Sequence, residues 1–166
     1  MEFSVKGPYE ITRQRLGVGR RRLLFAEFWD AADGREKLAE KAGVYMFAAK
    51  TGRGYKPLYV GKATKSFGQE VFNASNKHKY TDAMLEYERC LPVMFFVIPP
   101  TRKGKVNGRV IDQVETFLIQ TAYAKNPDIK NVKKTRMPEW SIRGVVRNAR
   151  KGAPKDSIQF RNAIGL

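Results

Sequence analysis

Two kinds of apolar pattern divide the chain. Val44-Tyr45-Met46-Phe47-Ala48 is a β-rich run that reads as a strand, and Leu58-Tyr59-Val60 reads as a second, antiparallel to the first. The turn residues Lys50-Thr51-Gly52-Arg53-Gly54 stand between them. Val93-Met94-Phe95-Phe96-Val97-Ile98, bounded by Pro92 and Pro99-Pro100, has the length and flanks of a buried strand. Helical spacing prevails elsewhere. Val110, Ile111, Val114, Leu118, Ile119 and Ala122 share one face of a helix over 110–124. Helical signals also run over 67–76 and 81–90, with Thr81 or Asp82 able to cap the second. Asp33 and Glu36 have the spacing of a capping box, so a helix is expected from there to about Lys41. Gly17-Val18-Gly19-Arg20-Arg21-Arg22 reads as a basic loop or arm, either on phosphate or simply solvated. Thr101 to Asn107 reads as a basic loop, and Trp140, Ile142, Val145 and Val146 imply one more packed element. The order predicts an α+β domain: a small central, mainly antiparallel sheet flanked by helices, with extensions at both ends.

Length adds that 166 residues suit one domain and can bury a real core. No apolar run approaches the roughly 20 residues of a membrane span. The start, Met1-Glu2-Phe3-Ser4, lacks the apolar stretch of a signal peptide, so a cytoplasmic protein with no membrane partner is expected. The lone Cys90 excludes a disulfide framework and a zinc ribbon, and the lone His78 excludes a histidine-rich metal site.

Charge changes the picture more. Lys and Arg number 32 against 16 Asp and Glu, a net +16. Residues 125–166 hold 11 basic and three acidic residues, net +8, so half the excess lies in the last quarter. Residues 1–25 add six basic and two acidic. Such clustering points to a nucleic-acid backbone, whose neutralisation releases condensed counterions.

Candidate chemistry gathers between residues 43 and 131. Gly43-Val44-Tyr45 precedes Tyr59-Val60-Gly61, which Lys62-Ala63 follows. Glu115 lies on the edge of the apolar face of the 110–124 helix, between Ile111 and Ile119. Asn126-Pro127 and Asn131 come next. Glu115 read alone fits a carboxylate reaching water, pairing with a lysine, or holding a metal. The ordered set resembles the GIY-YIG nuclease family, whose signature is two such tripeptides on adjacent strands, a downstream arginine, a metal-binding glutamate and often a late asparagine.

The resemblance implies a GIY-YIG-like core over about 43–131, an N-terminal extension 1–42 and a basic C-terminal extension 132–166. It implies an endonuclease hydrolysing DNA with Mg2+ or Mn2+ on Glu115. Gly43 and Gly61 would be motif glycines, and Tyr45 and Tyr59 would position water and phosphate in one open cleft with Glu115. One departure stands out. The family arginine falls about eight residues past the second glycine, where this chain has Gln69, and no arginine occurs between Gly61 and Arg89. Lys62, Lys65, Lys77 or Lys79 could supply the cation, but not the bidentate fork of a guanidinium. Arg102 or Arg109 could reach in instead. His78 is a candidate general base, since its ordinary pKa suits neutral pH. Lys65, Lys77, Lys79, Asn131, Lys133, Lys134 and Arg136 form the expected nucleic-acid-binding track. Two further readings stay open: a catalytically impaired GIY-YIG-like nucleic-acid-binding protein, and an unrelated basic RNA-binding module.

Overall fold

The protein is described from a computed structural model covering residues 2–17, 21–32, 37–100, 107–135, 142–143, 147–148 and 154–163. The chain divides into two compact units, Met1–Thr135 and Arg136–Leu166. The first is α+β, built on a mainly antiparallel four-stranded sheet flanked by helices.

Strand β1 (Ser4–Glu10) is followed by a small ribbon, β2 (Arg13–Arg15) with β3 (Arg21–Leu23). Helix α1 (Phe28–Ala32) and a 3-10 turn, Leu38–Glu40, lead into β4 (Gly43–Thr51) and β5 (Gly54–Ala63). Then come α2 (Phe67–Glu70), α3 (Ala74–Leu85), β6 (Leu91–Ile98) and α4 (Gly108–Lys125). The sheet order is β1-β6-β4-β5, with every pairing antiparallel. β1 is therefore an edge strand of the central sheet, although residues 1–42 read as an extension. Its sequence is mostly exposed and polar, as suits an edge.

Each face of the sheet covers its own core. Tyr45, Phe47, Met94 and Phe96 point toward α1, α2 and α3, where Phe28, Phe67 and Tyr80 complete a buried aromatic cluster. Val44 and Val60 point to the other face, against Ile111, Ile119 and Ala122 of α4. Strand alternation on a sheet covered on both sides explains the near-continuous apolar runs of β4 and β6. Pairing of β4 with β5 shifts register after Phe47, leaving Leu58 as the extra residue of a bulge beside Tyr59.

The helices between β5 and β6 differ from expectation. The break falls at Val71–Asn73 rather than near Tyr80, and the cap is Asn73, whose side chain accepts from the Asn76 amide at 2.9 Å, not Thr81 or Asp82. Tyr80 is fully buried, so the polar run 76–79 is part of a helix with one inward face. The helix expected from residue 33 falls partly on residues outside the description; its described end is the 3-10 turn. Residues 101–106, Arg136, Trp140, Val145 and Val146 also lie outside it. In the second unit, β7 (Ile142–Arg143) pairs in parallel with β8 (Arg147–Asn148), and α5 spans Lys155–Ala163. Among the described residues, no helix is long and apolar enough to cross a membrane.

Candidate functional site

Among the described residues, the β5 edge of the sheet is not paired to a further strand. Instead, the chain after α4 runs along it. Asn126 Nδ2 donates to the Pro57 carbonyl at 2.7 Å, and the Lys130 amide donates to the Leu58 carbonyl at 2.8 Å. Asn131 accepts from the Val60 amide at 2.9 Å and donates to the Val60 carbonyl at 2.7 Å. Asn131 thus imitates a strand neighbour. Both ends of its amide are held by β5 backbone, so it pins the strap to the strand at the cleft wall.

This strap walls an open cleft of about 410 Å3 around the β5 edge. Tyr59 and Lys62 line it from β5, Lys79 from α3, Asp112, Glu115 and Ile119 from α4, and residues 130–134 from the strap. Five lysines (Lys62, Lys79, Lys130, Lys133 and Lys134) line it against two carboxylates, with the Lys130 ammonium 3.2 Å from Glu86 outside the lining.

Asp112 and Glu115 are three residues apart on α4, one above the other. Lys134 Nζ lies 2.7 Å from Asp112 Oδ1 and 2.6 Å from Glu115 Oε2. Lys62 Nζ pairs with Asp112 and lies 3.4 Å from Glu115 Oε2. Hydrogen bonds from Lys134 and Lys62 hold the exposed Asp112 carboxyl down at about 2. Burial pulls the Lys134 ammonium down, but its bonds to Asp112 and Glu115 outweigh this and leave it raised. Lys134 holds this position with a left-handed backbone, φ 64°.

The Tyr59 and Tyr45 rings are tilted at 47° to each other, with centroids 6.3 Å apart. Tyr59 is half-buried at the cleft wall, and Lys79 Nζ sits 4.8 Å from its ring centroid. Lys79 also donates to Asn76 Oδ1 at 3.3 Å. Burial pushes the Tyr59 phenol up, and the charges of Glu115 and Glu70 push it further. Tyr45 does not line the cleft. It is 1% exposed, and the buried Asn76 donates to its hydroxyl at 2.9 Å. Its cross-strand partner is Gly61, where an added Cβ would clash with the hydroxyl end of the Tyr45 side chain. The glycine of the second tripeptide thus makes room for the tyrosine of the first. Gly43 meets a similar need: its φ is +153°, and a Cβ there would strike the Val97 carbonyl. Burial raises the Tyr45 phenol far above its ordinary range.

Other candidates lie elsewhere. His78 sits on the outer face of α3, its side chain 80% exposed, with Nε2 3.7 Å from Asp82, and it does not line the cleft. Helix period separates it from Lys79, which turns inward. Lys65 is exposed on the loop after β5, and Lys77 is exposed with Nζ 5.8 Å from the Phe25 ring centroid. Arg109 is exposed in the first turn of α4. No arginine lines the cleft among the described residues.

Two residues of the site went unmarked in the sequence. Asp112 is recoverable from its spacing to Glu115. Nothing marked Asn76, whose burial depends on the helix starting at Ala74.

Among the described residues, no three His, Cys, Asp or Glu side chains gather to hold a metal. The two carboxylates still suit a hard divalent ion that takes its other ligands from water and substrate phosphate. Two ammoniums already lie against them, so the pair draws cations. The chain matches no family model, no curated protein and no solved structure.

Proposed function

We propose that the protein is a GIY-YIG-like endonuclease that hydrolyses phosphodiester bonds in DNA at the β5-edge cleft. The observation that carries this reading is the meeting of Tyr59 and Glu115 at one open cleft lined by five lysines. The ammoniums bind the phosphate backbone and hold the scissile group against the Tyr59 hydroxyl. The raised phenol stays protonated at neutral pH, so Tyr59 acts as a donor that orients phosphate or water rather than as a ready base. Lys79, over the Tyr59 ring, offers positive charge where relatives would use arginine. Glu115, with Asp112 beside it, would hold Mg2+ or Mn2+, and Lys134 would have to yield its place. A bound divalent ion supplies Lewis-acid polarisation of a phosphoryl oxygen. Tyr45 supports the site from below through Asn76 and carries no contact with substrate.

A second reading, binding without cleavage, is favoured by one observation: Glu115 is already satisfied by Lys134 and Lys62. Incubation of the purified protein with plasmid and single-stranded DNA, with and without Mg2+ or Mn2+, separates the two. Metal-dependent nicking that Glu115→Gln abolishes supports the nuclease. Salt-sensitive binding with no product under any metal supports the binding protein.

A further inference from the structure

The arginines of the N-terminal ribbon have no part in the cleft. Arg13 on β2 and Arg21 on β3 lie on one face, since Arg13 is paired with Leu23, two residues after Arg21. Both send Nη1 to the Glu88 carbonyl beyond α3, at 2.6 and 2.5 Å, and Arg13 Nη2 reaches the Tyr87 carbonyl at 3.4 Å. Two full positive charges therefore share neutral carbonyl oxygens. Among the described residues neither arginine makes an ion pair. Arg13 Nε is buried with no partner, which costs free energy, so only the outer nitrogens of this guanidinium are left to meet a ligand. The two guanidiniums line a cavity of about 360 Å3 whose other walls are Leu16, Leu23, Thr81, Met84, Leu85 and Glu88. Leu16 and Leu85 are more than half exposed.

We propose that this cavity binds a 5′-nucleotide, with the phosphate monoester against Arg13 and Arg21 and the base against the leucine and methionine walls. Paired guanidinium forks call for an anion with several acceptor oxygens. With Glu88 on the same wall the cations still outnumber the carboxylate, and a phosphate monoester offers their two forks three acceptor oxygens, one more than a carboxylate has. The apolar walls need a flat, poorly hydrated body, which a nucleobase supplies and inorganic phosphate does not. The ligand has two sources: a free mononucleotide, or the 5′-phosphorylated end of a strand. The second rests on the nuclease reading, as a product or substrate end held apart from the cleft.

Titration calorimetry on the full chain with 5′-dAMP, deoxyadenosine and inorganic phosphate tests the site. 5′-dAMP is expected to bind, with deoxyadenosine and phosphate each much weaker. Arg21→Ala, at an exposed position, should lower 5′-dAMP affinity about tenfold, the scale of one lost charge-assisted hydrogen bond. Leu85→Asp, also exposed, should lower it without loss of fold by circular dichroism. A 5′-phosphorylated single-stranded oligonucleotide binding more tightly than its unphosphorylated twin assigns the site to strand ends; equal binding of the two, with 5′-dAMP still bound, assigns it to free nucleotides. The calorimetric readout needs no cleavage and no metal, so failure of the nuclease reading does not imitate failure here. No binding of 5′-dAMP, or binding that both variants leave intact, overturns the proposal. Capture of an acidic peptide in its place does so too.

Discussion

Glu115→Gln keeps side-chain volume and removes the charge that Lys62 and Lys134 hold. Cleavage should fall by on the order of 10²-fold or more, because metal stabilisation of a transition state amounts to several kcal/mol. DNA binding should persist in a filter or mobility assay, since the lysines remain. Tyr59→Phe keeps the ring under Lys79 and loses only the hydroxyl, so turnover should drop while the melting temperature stays near the parent's. Gly61→Ala is a different test. Its Cβ collides with the Tyr45 ring, and overpacking of this kind costs about 1–3 kcal/mol, readable by urea denaturation. Asp112 carries a pH dependence with a definite sign. Its folded pKa, about 2, lies below the unfolded value near 4, so its contribution is complete above pH ~4 and is lost as pH falls through about 2. Asp112→Asn should flatten that acid limb of the stability profile.

At the level of elements, Asn73→Ala removes the α3 cap and should cost about 1 kcal/mol of stability. The hairpin and α4 were legible in sequence because apolar period and turn residues agree there. α3 was not, since Lys77, His78 and Lys79 look like a loop until Tyr80 is seen to bury the opposite face. β1 escaped notice because an edge strand needs little apolar content. The site divides in the same way. Tyr59, Lys62, Lys79, Glu115, Lys133 and Lys134 meet at one cleft, as a signature read along the chain allows. Tyr45 was expected beside them, but cross-strand pairing with Gly61 lays its ring in the core. His78 was a candidate on chemistry alone, and one residue of helical rotation separates it from the lysine that faces inward.

For the whole molecule, the net charge of +16 sets how binding responds to salt. Affinity for DNA should fall log-linearly with salt, with a slope of roughly 0.9 per phosphate neutralised. Lys133→Ala should reduce that slope by about 1 and weaken all sequences alike. An affinity indifferent to salt between low and physiological concentration would remove the electrostatic account.

The strap on β5 also sets an order of assembly. Residues 57–60 find their last backbone partners only at 126–131, across a long loop that includes β6 and α4. Such a closure has little to reward it until α4 has docked on the sheet. The cleft is therefore the part of this unit that forms late and opens first, while the aromatic core beneath stays closed. The Val60 amide reports on that opening, because it donates to Asn131 of the strap. Its exchange with deuterium should be faster than that of its neighbours in β4, and Asn131→Ala should release it without unfolding the sheet.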